Sequence, residues 1–149
     1  MRRAADAGIP TFSVALSDYR DRSAWNQALA ATLGSYSPDL VLLAGFMRLI
    51  ESATVSRFAM VNTHPSLLPA FPGAHAVRDA LAHGVRVSGA TVHRVDSGLD
   101  SGPILAQVAV PVNVDDTEVS LLARIQAAEK PLFVETIRQL CTSIEESRL

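Results

Sequence analysis

A chain of 149 residues, 48% hydrophobic and 19% charged, is long enough to bury a sizeable core in one domain and far from a disordered composition. Its net charge of −2 gives no reason to expect non-specific attraction to nucleic acid or to an anionic membrane. The lone cysteine, Cys141, excludes an internal disulfide, no His or Cys cluster has zinc-like spacing, and neither a signal peptide nor a spanning-length apolar run is present. The expectation is a soluble cytoplasmic protein without a zinc site.

The opening MRRAADAGIP reads as the tail of a helix, ending at Gly8 with Pro10 just beyond. TFSVAL (11–16) alternates like a strand. In the next segment Asp18 or Asp21 can cap a helix on which Trp25, Ala28, Leu29, Thr32 and Leu33 share one stripe, with Gly34 closing it. DLVLLA (39–44) is a continuous apolar run, the pattern of a parallel strand covered on both faces. A helix around Ser52 to Phe58 leads into the short strand MVNT. This alternation of helix and strand implies βαβ units and a parallel sheet. A helix near Ala74–His83 then precedes two strand-like runs, VSGATVHRV (87–95) and ILAQVAVPV (104–112), separated by the loop DSGLDSGP. From Thr117 a long amphipathic helix follows, which Pro131 should kink or split.

In open α/β sheets, ligands bind beyond the carboxyl ends of the strands. Three such ends carry unusual residues here: Gly45-Phe46-Met47-Arg48 after DLVLLA, His64 after MVNT, and the segment Asp96 to Gly102 after VSGATVHRV. Asn62 and His64 are two apart, so on an extended strand both side chains point to one face. An amide donor beside an imidazole suits a developing oxyanion, and the imidazole can donate or relay a proton. Asp96 and Asp100, on a glycine-flanked loop, are the candidates to orient it or hold it charged. Bland readings stand beside these. An Asn-x-His pair also reads as a satisfied hydrogen-bonding pair, Pro65, Pro69 and Pro72 as a stiff connection, and Asp96 as closing a turn. His75 reads as filling a helix start, His83 as an exposed helix end, and His93 as a residue alternating with Val92 within a strand.

The strings LAGFMRLI, NTHPSLLPAFPGAH, GATVHRVDSGLDSGPILAQ and RIQAAEKPLF, in this order and spacing, resemble the folate-dependent formyltransferases. HPSLLPAFPG points to their purine-pathway branch, the phosphoribosylglycinamide formyltransferases. The resemblance implies an open, Rossmann-like, mostly parallel α/β sheet with flanking helices, forming one formyltransferase domain over 1–149. It implies an enzyme that moves the formyl group of 10-formyltetrahydrofolate to the amine of glycinamide ribonucleotide, with no metal and no nucleic-acid or membrane partner. Asn62, His64 and Asp100 match the family's catalytic trio. Asn62 would bond the formyl oxygen, His64 would donate the proton, and Asp100 would favour the charged ring and help relay the proton.

By the same resemblance Met47, Arg48, Leu49 and Ile50 line the slot for the flat pterin ring. Asn62 and the loop Val95, Asp96, Ser97, Gly98, Leu99 and Asp100 also bind the folate, as does Arg22 near its tail. Gly45, Pro65, Gln126 and Glu129 match substrate-binding positions. The family normally opens with a strand, a glycine- and serine-rich phosphate loop, a helix and a second strand. No counterpart is present, so a first βαβ unit is expected to be missing and the sheet to have exposed edges that a homodimer would cover. The alternatives are a formyltetrahydrofolate hydrolase, which turns the same trio on water, and a folate-binding module without turnover.

Overall fold

The alanine-rich start coils into α1 (Arg2–Asp6) and stops at Gly8, whose φ of 67° lies in the left-handed region that ends helices. This computed structural model describes residues 2–46 and 48–147 and divides the chain into two compact units, Met1–Pro38 and Asp39–Leu149. In the first, TFSVAL does not form the expected strand. Alternation alone supplies no neighbour to pair with, and the backbone is used otherwise: Leu16–Asp18 winds into a 3-10 turn, and the Trp25 indole donates to Val14 O at 2.9 Å. Asp21, rather than Asp18, caps α2 (Arg22–Tyr36) by accepting from Ala24 N at 2.8 Å. The helix runs past Gly34 and is closed by Ser37 in the left-handed region. Trp25, Leu29 and Ala30 form its buried side.

The second unit holds a four-stranded sheet in the order β1 (Val41–Leu43), β2 (Met60–His64), β3 (Val87–Arg94), β4 (Ile104–Pro111). Only β1 and β2 are parallel, joined through α3 (Ser52–Val55); β2–β3 and β3–β4 are antiparallel. The α/β character is as expected, but the sheet is mixed rather than mostly parallel. The reason is chain length. The loop 95–103 between β3 and β4 is too short for the crossover that a parallel neighbour requires. Between β2 and β3, the loop 65–75 and α4 (Ala76–His83) return the chain in the opposite direction.

The last helix, α5 (Glu118–Glu146), begins on a capping box between Thr117 and Ser120. It passes Pro131 without splitting. Pro131 and Ala127, whose carbonyl loses its helical donor, are both exposed, so water can serve the freed group. Ahead of the proline, Leu121 and Ile125 pack fully buried against Val77 of α4, Ala90 of β3 and Val110 of β4. Because side chains alternate along a strand, β3 divides its residues between that core and the opposite face. Among the described residues, no helix is long and apolar enough to cross a membrane, and no group of three or more His, Cys, Asp or Glu could hold a metal.

Candidate functional site

On the face of the sheet opposite Ala90, the antiparallel register sets Asn62 opposite His93 and His64 opposite Thr91. Directly opposed residues in such a ladder share a face, so these four side chains form one patch at the carboxyl end of β2. His64 is buried, 5% exposed, and both its ring nitrogens meet oxygen atoms. Nε2 lies 2.8 Å from Phe71 O, and Nδ1 lies 3.4 Å from Asp100 Oδ2. A carbonyl can only accept, so Nε2 carries the proton of that bond and Nδ1 is left as the edge that can exchange one.

Asp100 reaches the patch from the loop between β3 and β4. Its Oδ2 accepts from Gly73 N at 2.8 Å, and its Oδ1 lies 3.8 Å from His93 Nε2. One carboxylate thus sits between two imidazoles. The loop can bring it there because Gly102 presses against the end of β3: a Cβ on Gly102 would fall 1.9 Å from Arg94 O. Arg94 N donates to Pro103 O at 2.9 Å and Val95 N to Met60 O at 3.0 Å, tying both ends of the loop to the sheet. The 65–73 segment reaches the same place from the other side, contributing the Phe71 carbonyl and the Gly73 N–H. Its Leu68–Pro69 peptide is cis.

Asn62, His64 and Asp100 are therefore assembled, with the Asn62 amide half-buried on the His64 face and hydrogen-bonded to no described residue. Asp96 takes the turn-closing role instead: its Oδ1 accepts from Gly98 N at 3.0 Å and Ser101 Oγ at 2.9 Å. Ser97, Gly98 and Leu99 are exposed and Val95 half-buried; the Leu99 side chain lies over Gly73, 3.6 Å from where its Cβ would be. Arg48 and Leu49 are exposed and Ile50 half-buried, while Met47 falls outside the described residues. Arg22 is exposed at the first turn of α2, in the other unit. Gly45 is exposed with φ 65°, and Pro65 directly follows His64.

On α5, the half-buried Glu129 accepts from Thr63 Oγ1 at 3.0 Å. Thr63 sits between Asn62 and His64 but points to the opposite face, so Glu129 is tied to the strand from its other side. Gln126 is exposed one turn earlier. Three groups at this patch escape a reading by residue type. His93 is buried with its Nδ1 2.9 Å from Arg94 O, and its Nε2 has no hydrogen-bond partner. The other two, Phe71 O and Gly73 N–H, belong to the backbone. For His93 the available signal was its position in a strand that runs straight into the Asp100 loop.

The sequence pattern of the Formyl transferase family matches residues 1–137, and the chain belongs to that family. Its relatives narrow the class. It is 52% identical over 141 residues to phosphoribosylglycinamide formyltransferase of Mycobacterium tuberculosis, covering 93% of this chain and 66% of that protein. It is 42% identical over 135 residues to the Escherichia coli protein of the same name, covering 89% of this chain and 64% of that one. Among solved structures, glycinamide ribonucleotide transformylase 1 from Symbiobacterium toebii superposes with a TM-score of 0.90 at 46% identity, covering 95% of this chain and 68% of that one. The chain thus spans somewhat less than two thirds of the length of these curated relatives and shares the α/β formyltransferase fold.

Proposed function

We propose that this chain carries the formyl-transfer centre of a phosphoribosylglycinamide formyltransferase. 10-Formyltetrahydrofolate supplies the formyl group, and the amine of glycinamide ribonucleotide receives it. The observation that carries the reading is the convergence of His64 Nδ1 and Asp100 Oδ2 at 3.4 Å beside the Asn62 amide, which no described residue engages. The donor set fits a formylated folate. A free amide and a buried imidazole face one patch, and the exposed Leu99 offers an apolar surface at its edge.

In this reading Asn62 donates to the formyl oxygen as negative charge builds on it. The amine nitrogen bonds to the formyl carbon, the bond from that carbon to N10 breaks, and one proton must pass from the amine to the departing nitrogen. His64 Nδ1 moves that proton, and Asp100 stabilises the ring while it is charged. The 3.4 Å separation is longer than a hydrogen bond, as such pairs often are before substrate tightens them. Met47 to Ile50 and Val95 to Leu99 would hold the pterin, and Gly45, Pro65, Gln126 and Glu129 the ribonucleotide. The same reading includes one domain over 1–149, a cytoplasmic location and a homodimer, the last tested by sedimentation mass.

The test is to measure formyl transfer to glycinamide ribonucleotide and formate release side by side, with folate binding followed separately. Transfer that is lost in His64→Ala and Asn62→Ala while folate binding persists is the expected result. Formate release without transfer would replace the reading with the hydrolase. Binding with neither activity would replace it with a folate-binding module.

A further inference from the structure

The His64 ring is held by the Phe71 carbonyl, and the Phe71 carbonyl is held in turn by a polar anchor on the sheet. His64, Thr91 and Gln107 are consecutive cross-strand partners on β2, β3 and β4. The Thr91 hydroxyl is fully buried and its bonding capacity is filled, twice by the loop that follows β2 and once by Gln107 of β4. It donates to Ser66 O at 2.7 Å and accepts from Leu68 N at 3.0 Å and Gln107 Nε2 at 3.0 Å. The same Gln107 nitrogen donates to Leu68 O at 2.9 Å, so both its hydrogens are engaged. Ser66 Oγ donates onward to Ala70 O at 2.6 Å, one residue before Phe71.

Packing reinforces the anchor. Leu67 lies over Gly89, where a Cβ would come 2.8 Å from Leu67 Cδ2 and 2.0 Å from Val108 O. The harder clash is with the Val108 carbonyl, so a side chain at 89 would disturb the β3–β4 pairing on which Thr91 and Gln107 sit. The loop needs such restraint. Phe71 sits at φ 53°, a left-handed conformation that costs a non-glycine residue about 1–2 kcal/mol and persists only where its surroundings impose it.

We propose that Thr91 and Gln107 are positioning residues that fix the His64 tautomer. By pinning residues 66–70 to the sheet they aim the Phe71 carbonyl at Nε2, so that Nε2 keeps its proton and Nδ1 is presented to Asp100. The Gly73 N–H, two residues further along, is aimed at the Asp100 carboxylate by the same segment. Thr91 and Gln107 need not meet either substrate. Their effect on catalysis, which rests on the proposed role of His64, passes through the loop.

The test uses the full chain, with its histidines labelled with nitrogen-15, in Thr91→Val, Thr91→Ser, Gln107→Met and wild-type forms. Valine keeps the shape of Thr91 and removes its hydroxyl, whereas serine keeps the hydroxyl. Methionine keeps the length of the exposed Gln107 side chain without its donors and leaves the core untouched, so it carries the test if Thr91→Val fails to fold. The expected result is that His64 loses its dominant Nε2–H signature in Thr91→Val and Gln107→Met. With this, kcat should fall roughly 10- to 100-fold while KM for the folate stays within about 3-fold, because misplacing a proton-transfer group slows chemistry more than binding. Thr91→Ser should restore both readouts. Unchanged His64 nitrogen signals in a folded Thr91→Val or Gln107→Met protein would overturn the proposal whatever the activity. A wild-type chain without transfer activity, whose His64 tautomer still responds to these variants, would instead refute the functional reading and leave the anchor standing.

Discussion

Asp100→Asn isolates the charge that His64 faces. The residue sits at φ 51°, where asparagine is among the few side chains that settle readily, so the loop backbone should hold. The new carbonyl can occupy the Oδ2 position and keep the 2.8 Å bond from Gly73 N. What disappears is the negative charge 3.4 Å from Nδ1. Exchanging a charge-assisted contact for a neutral one removes about 1.5 kcal/mol at the low end. At 3.4 Å, Coulomb's law with an effective dielectric constant of about 20 sets a ceiling near 5 kcal/mol. At about 1.4 kcal/mol per factor of ten, kcat for formyl transfer should fall by at least about 10-fold and at most by a few thousand-fold. The assay is steady-state transfer monitored through the folate product's absorbance, with melting temperature as the check on folding. A kcat within about 3-fold of wild type in a protein that melts normally would falsify the role given to the carboxylate.

Three further perturbations test how the scaffold holds the site. Asp116 accepts from Arg124 at 2.7 and 2.5 Å, and this pairing, with help from Ser120 and the Asn113 backbone, holds its carboxyl well below the usual carboxylate range. A lowered folded-state pKa stabilises above the unfolded value and is lost as pH falls. The urea midpoint of wild type should therefore exceed that of Asp116→Asn at pH 7, and the gap should start to narrow below about pH 4 and keep narrowing into the strongly acid range; a gap as wide at about pH 2.5 as at pH 7 would contradict the assignment. Gly102→Ala puts a methyl group 1.9 Å from Arg94 O, a backbone atom that cannot swing aside. The loop 95–103 must shift, costing about 1–3 kcal/mol in stability and lowering kcat by displacing Asp100, both read from one purified variant. Ile125→Ala empties a fully buried site beneath β3 and β4 and should cost about 2–5 kcal/mol in chemical denaturation. A loss under about 1 kcal/mol would mean that α5 packs more loosely than described.

What the sequence made legible follows from which physical signals are local. Asn62 and His64 stood out because two polar residues at alternate positions of a strand end share a face whatever the strand's neighbours are. The helix after Thr117 was legible from its amphipathic repeat, and the structure adds a cap that reaches only three residues. TFSVAL misled for the converse reason: a strand needs a partner, and alternation within six residues says nothing about whether one exists. The parallel share of the sheet was overestimated because it rested on the family resemblance, whereas past β2 loop length and direction take over. His93 stayed hidden because its meaning comes from standing opposite Asn62, a register that no single strand encodes.

The choice between Asp96 and Asp100 shows where local chemistry stops. Both lie on one glycine-rich loop four residues apart, and either could have reached the ring. The backbone decides. Asp96 folds its carboxylate onto the Gly98 amide and the Ser101 hydroxyl, whereas Asp100, at φ 51°, turns its own back over Gly73. Apart from the helix-closing Ser37, Phe71 and Asp100 are the non-glycine residues in the left-handed region among the described residues, and they grip His64 from its two nitrogens. Neither conformation is favoured by its own residue type as much as by what surrounds it. Both segments are tied down by groups distant in sequence: Thr91 and Gln107 for one, and the close approach of Gly102 to Arg94 for the other. The site's geometry is thus imposed by the sheet on two reluctant loops, which is why residue types could name His64 and Asp100 while only the assembled strands could say how they meet.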